Sequence, residues 1–103
     1  MGYEYGIKQC RETLIYLSSE ETFDERIANA FSEIGVIESD DVSKQHYKEI
    51  HEWREKYLSI TGAAIGDKAM VDELDKENEL INLGIKMVWL CVEIIKHNSR
   101  NTK

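Results

Sequence analysis

The chain contains no proline, the residue that most often breaks a helix, and this absence favours long uninterrupted helices. It has only six glycines in 103 residues. Apolar and polar residues do not alternate with a period of two over any useful length, so we expect no β-sheet. The sequence therefore predicts an all-α fold.

Export and membrane signals are also missing. The first residues lack a basic segment followed by an apolar run, so no secretory signal is visible. The longest apolar run, Leu80–Ile95, is shorter than the roughly 20 residues that span a bilayer, and Lys86 and Glu93 interrupt it. We therefore predict a cytoplasmic protein without a membrane partner. In that compartment Cys10 and Cys91 favour two buried thiols over a disulfide.

Catalytic and metal-binding patterns are absent as well. Metal sites in helical bundles use Glu-x-x-His pairs, and no glutamate stands three residues before His46, His51 or His97. The sequence has no phosphate-binding glycine loop and no nucleophile elbow. We therefore predict a protein that is not an enzyme, with no catalytic residue, no cofactor and no metal. His46 is interpreted as a hydrogen-bonded core histidine.

Acidic residues give the chain a net charge of −7. Binding to nucleic-acid phosphates needs clustered Lys and Arg, so we expect no direct contact with nucleic acid. Acidic residues are dense between positions 20 and 41, where Arg26 is the single basic residue. Such a surface either keeps the protein soluble or binds a basic partner. The candidate acidic surface consists of Glu20, Glu21, Asp24 and Glu25.

Four segments with helical periodicity follow one another along the chain. A chain of this length has room for one core, so we predict a single helical domain over 1–103, a small up-down-up-down four-helix bundle. A loop is predicted over 61–67, and a short extra helix over 68–74 is left open. The polar tail 98–103 is expected to fray. The predicted helices cover residues 3–17, 22–34, 41–60 and 76–97.

Local signals predict how these helices begin and end. Thr22 is expected to cap the second helix, and Gly35 is expected to end it in the left-handed conformation. Asp40 and Asp41 are expected at the positive end of the third helix. Asp75 is expected to cap the last helix.

The last helix carries more apolar residues than one core face can bury. Asn82, Lys86 and Glu93, the only polar residues between 80 and 95, fall on one narrow stripe of the helix. Trp89 lies in the middle of that stripe, which favours a contact with something outside the domain. The predicted core line of this helix consists of Leu80, Gly84, Met87, Val88, Cys91, Ile94 and Ile95.

These aromatic and apolar residues predict a surface that binds another protein or a second copy of the chain. Tyr, Trp and Arg are the residue types that dominate binding hot spots. We expect a non-enzymatic protein–protein interaction module, either a homodimer or a small accessory subunit of a bacterial or phage complex. The alternative is an acidic inhibitor or immunity protein that blocks a basic partner surface. The candidate partner-binding residues are Trp89, Ile85, Lys86, Val92, Tyr5 and Tyr16.

Overall fold

The computed structural model describes residues 2–62 and 73–101, with side chains described up to residue 62 and from residue 77 onward. Within these ranges the chain forms four α-helices and no strand, which confirms the predicted all-α bundle. The predicted loop and the optional extra helix fall mostly on 63–72, outside the described residues. The helices are α1 (Tyr3–Leu17), α2 (Phe23–Ile34), α3 (Lys44–Thr61) and α4 (Glu73–Asn101).

The long contact between α1 and α4 forms the middle of the bundle, with α2 packed on α1 and α3 packed on α4. The two outer helices touch each other over a smaller area. Phe31 of α2 stacks on Tyr57 of α3 with ring centroids 4.7 Å apart, and Tyr57 stacks on Trp53 at 5.9 Å. The guanidinium of Arg54 lies 4.3 Å from the centroid of the Phe31 ring. This aromatic cluster joins α2 to α3.

Hydroxyl caps define where α2 and α3 begin. Thr22 accepts a hydrogen bond from a backbone N–H of the first turn of α2, as predicted. Ser43 accepts the corresponding bond from the N–H of His46, 3.1 Å long, so α3 begins at Lys44. The predicted start of this helix at residue 41 was wrong because Asp41 bonds elsewhere and does not cap the helix.

Glycines follow the last residues of α2 and α3, in two different backbone conformations. Gly35 is right-handed, with φ −69°, so the predicted left-handed conformation was wrong. A Cβ atom at this position would lie 2.8 Å from Nη2 of Arg54, so a side chain there would displace the Arg54 guanidinium. Gly62, with φ 65°, is the glycine that adopts the left-handed conformation and ends α3.

α4 is longer than predicted at both ends. It begins at Glu73, so Asp75 lies within the helix and does not cap it. It continues to Asn101, and the prediction that the chain frays from residue 98 was wrong because the Asn98 side chain is fully buried. Its 29 residues make a helix about 43 Å long.

A buried polar cluster ties the start of α1 to the end of α4. The Nδ2 atom of Asn98 donates hydrogen bonds to the carbonyl oxygens of Asp41, at 2.9 Å, and Tyr3, at 3.1 Å. The carboxylate of Asp41 accepts hydrogen bonds from the backbone N–H groups of Gly2 and Glu38, both 2.8 Å long. We call this cluster of Gly2, Glu38, Asp41 and Asn98 the Asp41 clasp.

The clasp leaves no room for a side chain at Gly6 and keeps a buried carboxylate ionised. A Cβ atom at Gly6 would overlap the carbonyl oxygen of Asp41 and lie 2.7 Å from Nδ2 of Asn98. Burial raises the pKa of the Asp41 carboxyl, but hydrogen bonds from the Glu38 and Gly2 amides outweigh it and hold the pKa below its usual value. The Asp41 carboxylate therefore stabilises the tertiary structure and does not cap a helix.

The apolar core lies between the four helices and includes both thiols. Cys10 and Cys91 are fully buried and free, as predicted. The hydrogen bond with Cys10 is the larger cause, and burial the smaller one, of a raised pKa of the Cys91 thiol. A Cβ atom at Gly84 would lie 3.3 Å from the ring of Phe23, which is the close approach of a neighbouring segment that this glycine permits. Val88, which was predicted to be in the core, is 39% exposed.

Replacing Asn98 by alanine tests the clasp. The change leaves the carbonyl oxygens of Asp41, in a buried contact, and Tyr3, in a half-buried one, without their amide donor. We therefore expect the free energy of unfolding to fall by about 1–3 kcal/mol. Urea unfolding followed by circular dichroism measures this loss. Asn101→Ala is the matched control, because Asn101 is exposed and bonds only within its own helix. Equal stability of the two variants would show that the clasp does not stabilise the fold.

The depressed pKa of Asp41 predicts a dependence of stability on pH. The folded state binds its proton less readily than the unfolded chain, so the stabilisation is fully present above about pH 4 and is lost as the pH falls through the lower folded pKa. Asp41→Asn should lower the free energy of unfolding at neutral pH and should reduce its further loss as the pH falls. Asp24→Asn, at an exposed site, should leave that loss unchanged. Urea midpoints measured from about pH 6 to about pH 2 test this prediction. If the midpoint of Asp41→Asn falls with pH as much as that of the unmodified protein, the prediction is wrong.

Candidate protein-binding surface

An apolar stripe runs along the outside of α4. Ile81, Ile85, Val88 and Trp89 are 45%, 53%, 39% and 66% exposed, and half-buried Val92 continues the row. Steps of four, three and four residues from position 81 to position 92 keep these side chains on one side of the helix, with Trp89 at its edge. We call these five residues the α4 stripe.

The buried side of α4 explains why the stripe stays outside. Six apolar residues of this helix belong to the core and are at most 8% exposed: Leu80, Leu83, Met87, Leu90, Cys91 and Ile94. At 100° per residue, the centre of the stripe lies about 140° around the helix from the centre of this buried side. The two sides cannot be covered by the same neighbours.

The stripe is as large as the largest apolar patches that monomeric proteins usually expose. From the exposed fractions of its side chains, it presents roughly 400 Å² of apolar surface to solvent. Exposed apolar patches of a few hundred Å² are the largest that monomeric proteins usually carry, and they are often functional. Single exposed apolar residues need no explanation, but a continuous row of this kind does.

An open groove of about 470 Å³ between α3 and α4 borders the stripe, and its lining includes both tryptophans. Trp53 is buried, and its Nε1 atom donates a 2.7 Å hydrogen bond to the carbonyl oxygen of Leu83, which joins α3 to α4. Trp89 is exposed beside it. Charged residues from both helices complete the lining: Glu49, Glu52, Lys56, Lys86 and Glu93.

The structure places four of the predicted partner-binding residues together on α4: Ile85, Lys86, Trp89 and Val92. Ile81 and Val88, the other two members of the stripe, were not predicted as partner-binding residues. Their spacing to Ile85 and Val92 was a usable signal, because steps of four and three residues describe a continuous row. Val88 was assigned to the core because it lies at the boundary between the two apolar sides of the helix, and periodicity does not show where the buried side ends.

Tyr5 and Tyr16, the other two predicted partner-binding residues, lie apart from the stripe. Both are half-buried on α1. Tyr3, whose ring lies 5.6 Å from that of His97 in α4, marks the side of α1 that faces α4. At 100° per residue, Tyr5 and Tyr16 lie about 140–160° around α1 from Tyr3. The structure therefore does not join them to the stripe on α4.

The candidate acidic surface lies in the turn before α2 and in the first turn of that helix. All four of its residues are exposed: Glu20, Glu21, Asp24 and Glu25. Asp24 and Glu25 also lie at the positive end of the α2 dipole, where a carboxylate stabilises the helix. Their positions fit helix stabilisation and solubility as well as binding.

Two histidines meet in a small polar groove near the end of α4. The rings of His46 and His97 lie edge to face with centroids 5.3 Å apart. Burial lowers the pKa of His46, and the Glu49 and Glu93 carboxylates partly oppose this effect. The predicted core histidine is half-buried, and its buried Nδ1 atom makes no hydrogen bond to a described residue. The prediction of a hydrogen-bonded core residue was therefore wrong for this atom.

One group of carboxylates in the described part of the chain is close enough to hold a cation, namely Glu38, Asp40 and Asp41. The Asp41 carboxylate already accepts two backbone hydrogen bonds, and the other two side chains are exposed. Exposed acidic groups often lie together without an ion, so we assign no metal site here.

Comparison of the chain with protein-family models, with curated proteins and with solved structures gives no match. Among the described helices, none combines the length and the apolar character needed to cross a membrane. The α4 stripe is the surface feature with the most specific geometry, and function is inferred from it.

The two tryptophans should respond differently to substitution. Trp89→Ala should change the free energy of unfolding by less than about 0.5 kcal/mol in dilute protein, because the side chain is exposed. Trp53→Phe should cost about 1–2 kcal/mol, since it removes a buried hydrogen bond. Urea unfolding curves of both variants test this contrast. A loss of several kcal/mol in Trp89→Ala would place Trp89 in the core and remove the basis of the stripe.

Proposed function

We propose that the protein is a non-enzymatic protein–protein interaction module and that the α4 stripe is its binding surface. The observation that carries this proposal is Trp89, 66% exposed beside a continuous apolar row on a helix whose other side fills the core. Tryptophan is among the residues that most often dominate binding energy, because a partner can cover its large rigid ring completely.

Covering the stripe would supply an apolar free energy close to the cost of association. Removing roughly 400 Å² of apolar surface from water is worth about 10 kcal/mol at 25 cal/mol per Å². Association costs about 4–15 kcal/mol in lost translational and rotational freedom. The apolar gain is therefore close to this cost, and polar contacts at the edge of the stripe decide whether binding is tight.

The charged residues around the stripe can make these polar contacts with a partner. Lys86 and Glu93 are exposed and also line the groove beside Trp89. A partner that covers Trp89 would meet both charges at the rim of the interface, where polar groups determine orientation and specificity. The groove itself has room for a side chain of the partner.

An enzymatic role has less support. The Cys91 thiol has a raised pKa, and a thiolate is the form needed for nucleophilic attack. Its burial, together with that of Cys10, is in keeping with a reducing compartment, so we propose a cytoplasmic protein, as a homodimer or a small accessory subunit of a bacterial or phage complex.

The second candidate function is an acidic inhibitor that blocks a basic partner surface. It is favoured by the exposure of all four carboxylates in the turn before α2 and in the first turn of that helix: Glu20, Glu21, Asp24 and Glu25. Binding through these groups would be strongly screened by salt, because the contacts are exposed charge pairs.

Photo-crosslinking in the natural host separates the two candidates. A photoreactive amino acid at position 82, at the polar edge of the stripe, keeps all five stripe residues intact. We expect crosslinks from this position, and we expect Trp89→Ala in the same chain to abolish them because it removes the binding anchor. Position 25 tests the acidic surface, and exposed Lys48 on α3 supplies the control position.

The positions from which crosslinks form decide between the two candidate functions. Crosslinks from position 82 that depend on Trp89 support the interaction module. Crosslinks from position 25 alone support the acidic inhibitor and contradict the proposal for α4. Crosslinks from neither position contradict both candidate functions.

A further inference from the structure

We propose that the α4 stripe is covered by α4 of a second copy of this chain, packed antiparallel across a two-fold axis close to Trp89. This inference rests on the proposed function, because it uses the same surface. Three features of the described residues support it: the spacing of the apolar residues, the order of the charges along the edge, and the area of the patch.

The apolar spacing is that of helices that pair along their length. Ile81, Ile85, Val88 and Val92 follow one another in steps of four, three and four, and half-buried Ile95 adds a further step of three. Alternating steps of three and four residues form the seam through which two helices pack side by side. A second α4 offers the same seam, so the two seams can cover each other over about three turns.

The charges at the edge of the stripe are arranged symmetrically around Trp89 with opposite signs. Lys86 lies three residues before Trp89 and Glu93 lies four residues after it. In an antiparallel pair centred at Trp89, Lys86 of one copy lies beside the partner's Glu93, and the same contact is repeated on the other side of the axis. In a parallel pair this edge would lie beside the opposite edge of the partner's helix, so the contact between Lys86 and the partner's Glu93 would not form.

Polar residues further along the edge follow the same symmetry. Asn82 lies seven residues before Trp89 and Lys96 seven after it, while Asn78 and Arg100 lie eleven before and eleven after. All four are exposed. The two-fold axis therefore places an amide, whose oxygen accepts hydrogen bonds, beside a cation at each of these steps. No like charges meet along this edge in the antiparallel arrangement.

The area of the stripe matches a small specific dimer. The smaller stable interfaces bury about 600 Å² on each partner, and about 65% of a homodimer interface is apolar, which corresponds to roughly 390 Å². The stripe presents roughly 400 Å² of apolar surface. Two stripes, together with the polar residues along their edges, therefore reach the size of a small specific interface.

Charge reversal tests the proposed contact between Lys86 and the partner's Glu93. Analytical ultracentrifugation of the full chain should show a dimer. Lys86→Glu and Glu93→Lys should each weaken it at least tenfold, because each variant places like charges together on both sides of the axis. An equimolar mixture of the two variants should recover the association, because the mixed pair restores both contacts. Lys48→Glu, on the exposed face of α3, is the matched control for charge and should leave the dimer unchanged.

Distances between spin labels test the direction of pairing. In an Arg100→Cys variant the new thiol is exposed, whereas Cys10 and Cys91 are buried and should not react in the folded protein. An antiparallel pair centred at Trp89 places the two labelled backbone positions about 33 Å apart along the axis, at 1.5 Å per residue. A parallel pair would place them about 10 Å apart, the usual separation of packed helices. The short distance would overturn the antiparallel arrangement.

The solution mass separates this inference from the proposed function. A chain that stays monomeric at about 1 mM, where even a dimer of millimolar affinity would be populated, overturns the inference. If the same chain crosslinks from position 82 to a different protein in a manner that depends on Trp89, the interaction module stands with another partner. A monomer that gives no such crosslink overturns both.

Discussion

The hydrogen bonds from Asn98 to the backbone at Asp41 and Tyr3 determine how α4 is rotated against the rest of the protein. They join parts of the chain that are 57 and 95 residues apart. Asn98 lies seven residues after Cys91, on the same side of the helix. Once its amide points into the Asp41 clasp, Cys91 must face the core and Trp89 must face outward. The outward position of the stripe is therefore a consequence of a buried polar contact at one end of the helix.

A second polar contact holds α4 further along its length. Trp53 donates its indole N–H to the carbonyl oxygen of Leu83, fifteen residues before Asn98, or about 22 Å along the helix. The middle of the stripe lies between these two anchors, on a helix whose other side is packed into the core. Its side chains are presented by a rigid backbone, which lowers the entropy that a partner must overcome on binding. The same two contacts that stabilise the fold thus prepare the surface.

Local patterns predicted much of the fold, and long-range contacts explain the errors. The bounds of α1 and the cap at Thr22 follow from neighbouring residues, which a sequence displays directly. Asp41 was assigned to a helix start because an aspartate before a helix has the same local signature whether it caps the helix or bonds to a distant amide. Trp89 was identified from the polar residues beside it. The buried side of α4 was predicted correctly through Met87, Cys91 and Ile94. Val88 was misplaced because it lies between the two apolar sides, and only the packing of the neighbouring helices shows where the buried side ends.

The overall charge of the chain limits what can cover the stripe. Two copies that each carry −7 repel each other at long range. At physiological ionic strength this repulsion is screened beyond about 8 Å. Apolar contact and the pairing of Lys86 with Glu93 act at shorter distances, where the repulsion no longer dominates. Net charge therefore disfavours nonspecific association through the exposed apolar row. A specific pairing is stabilised by short-range contacts, because it covers the row and pairs the charges at its edge. The acidic composition and the apolar stripe are compatible because they act over different distances.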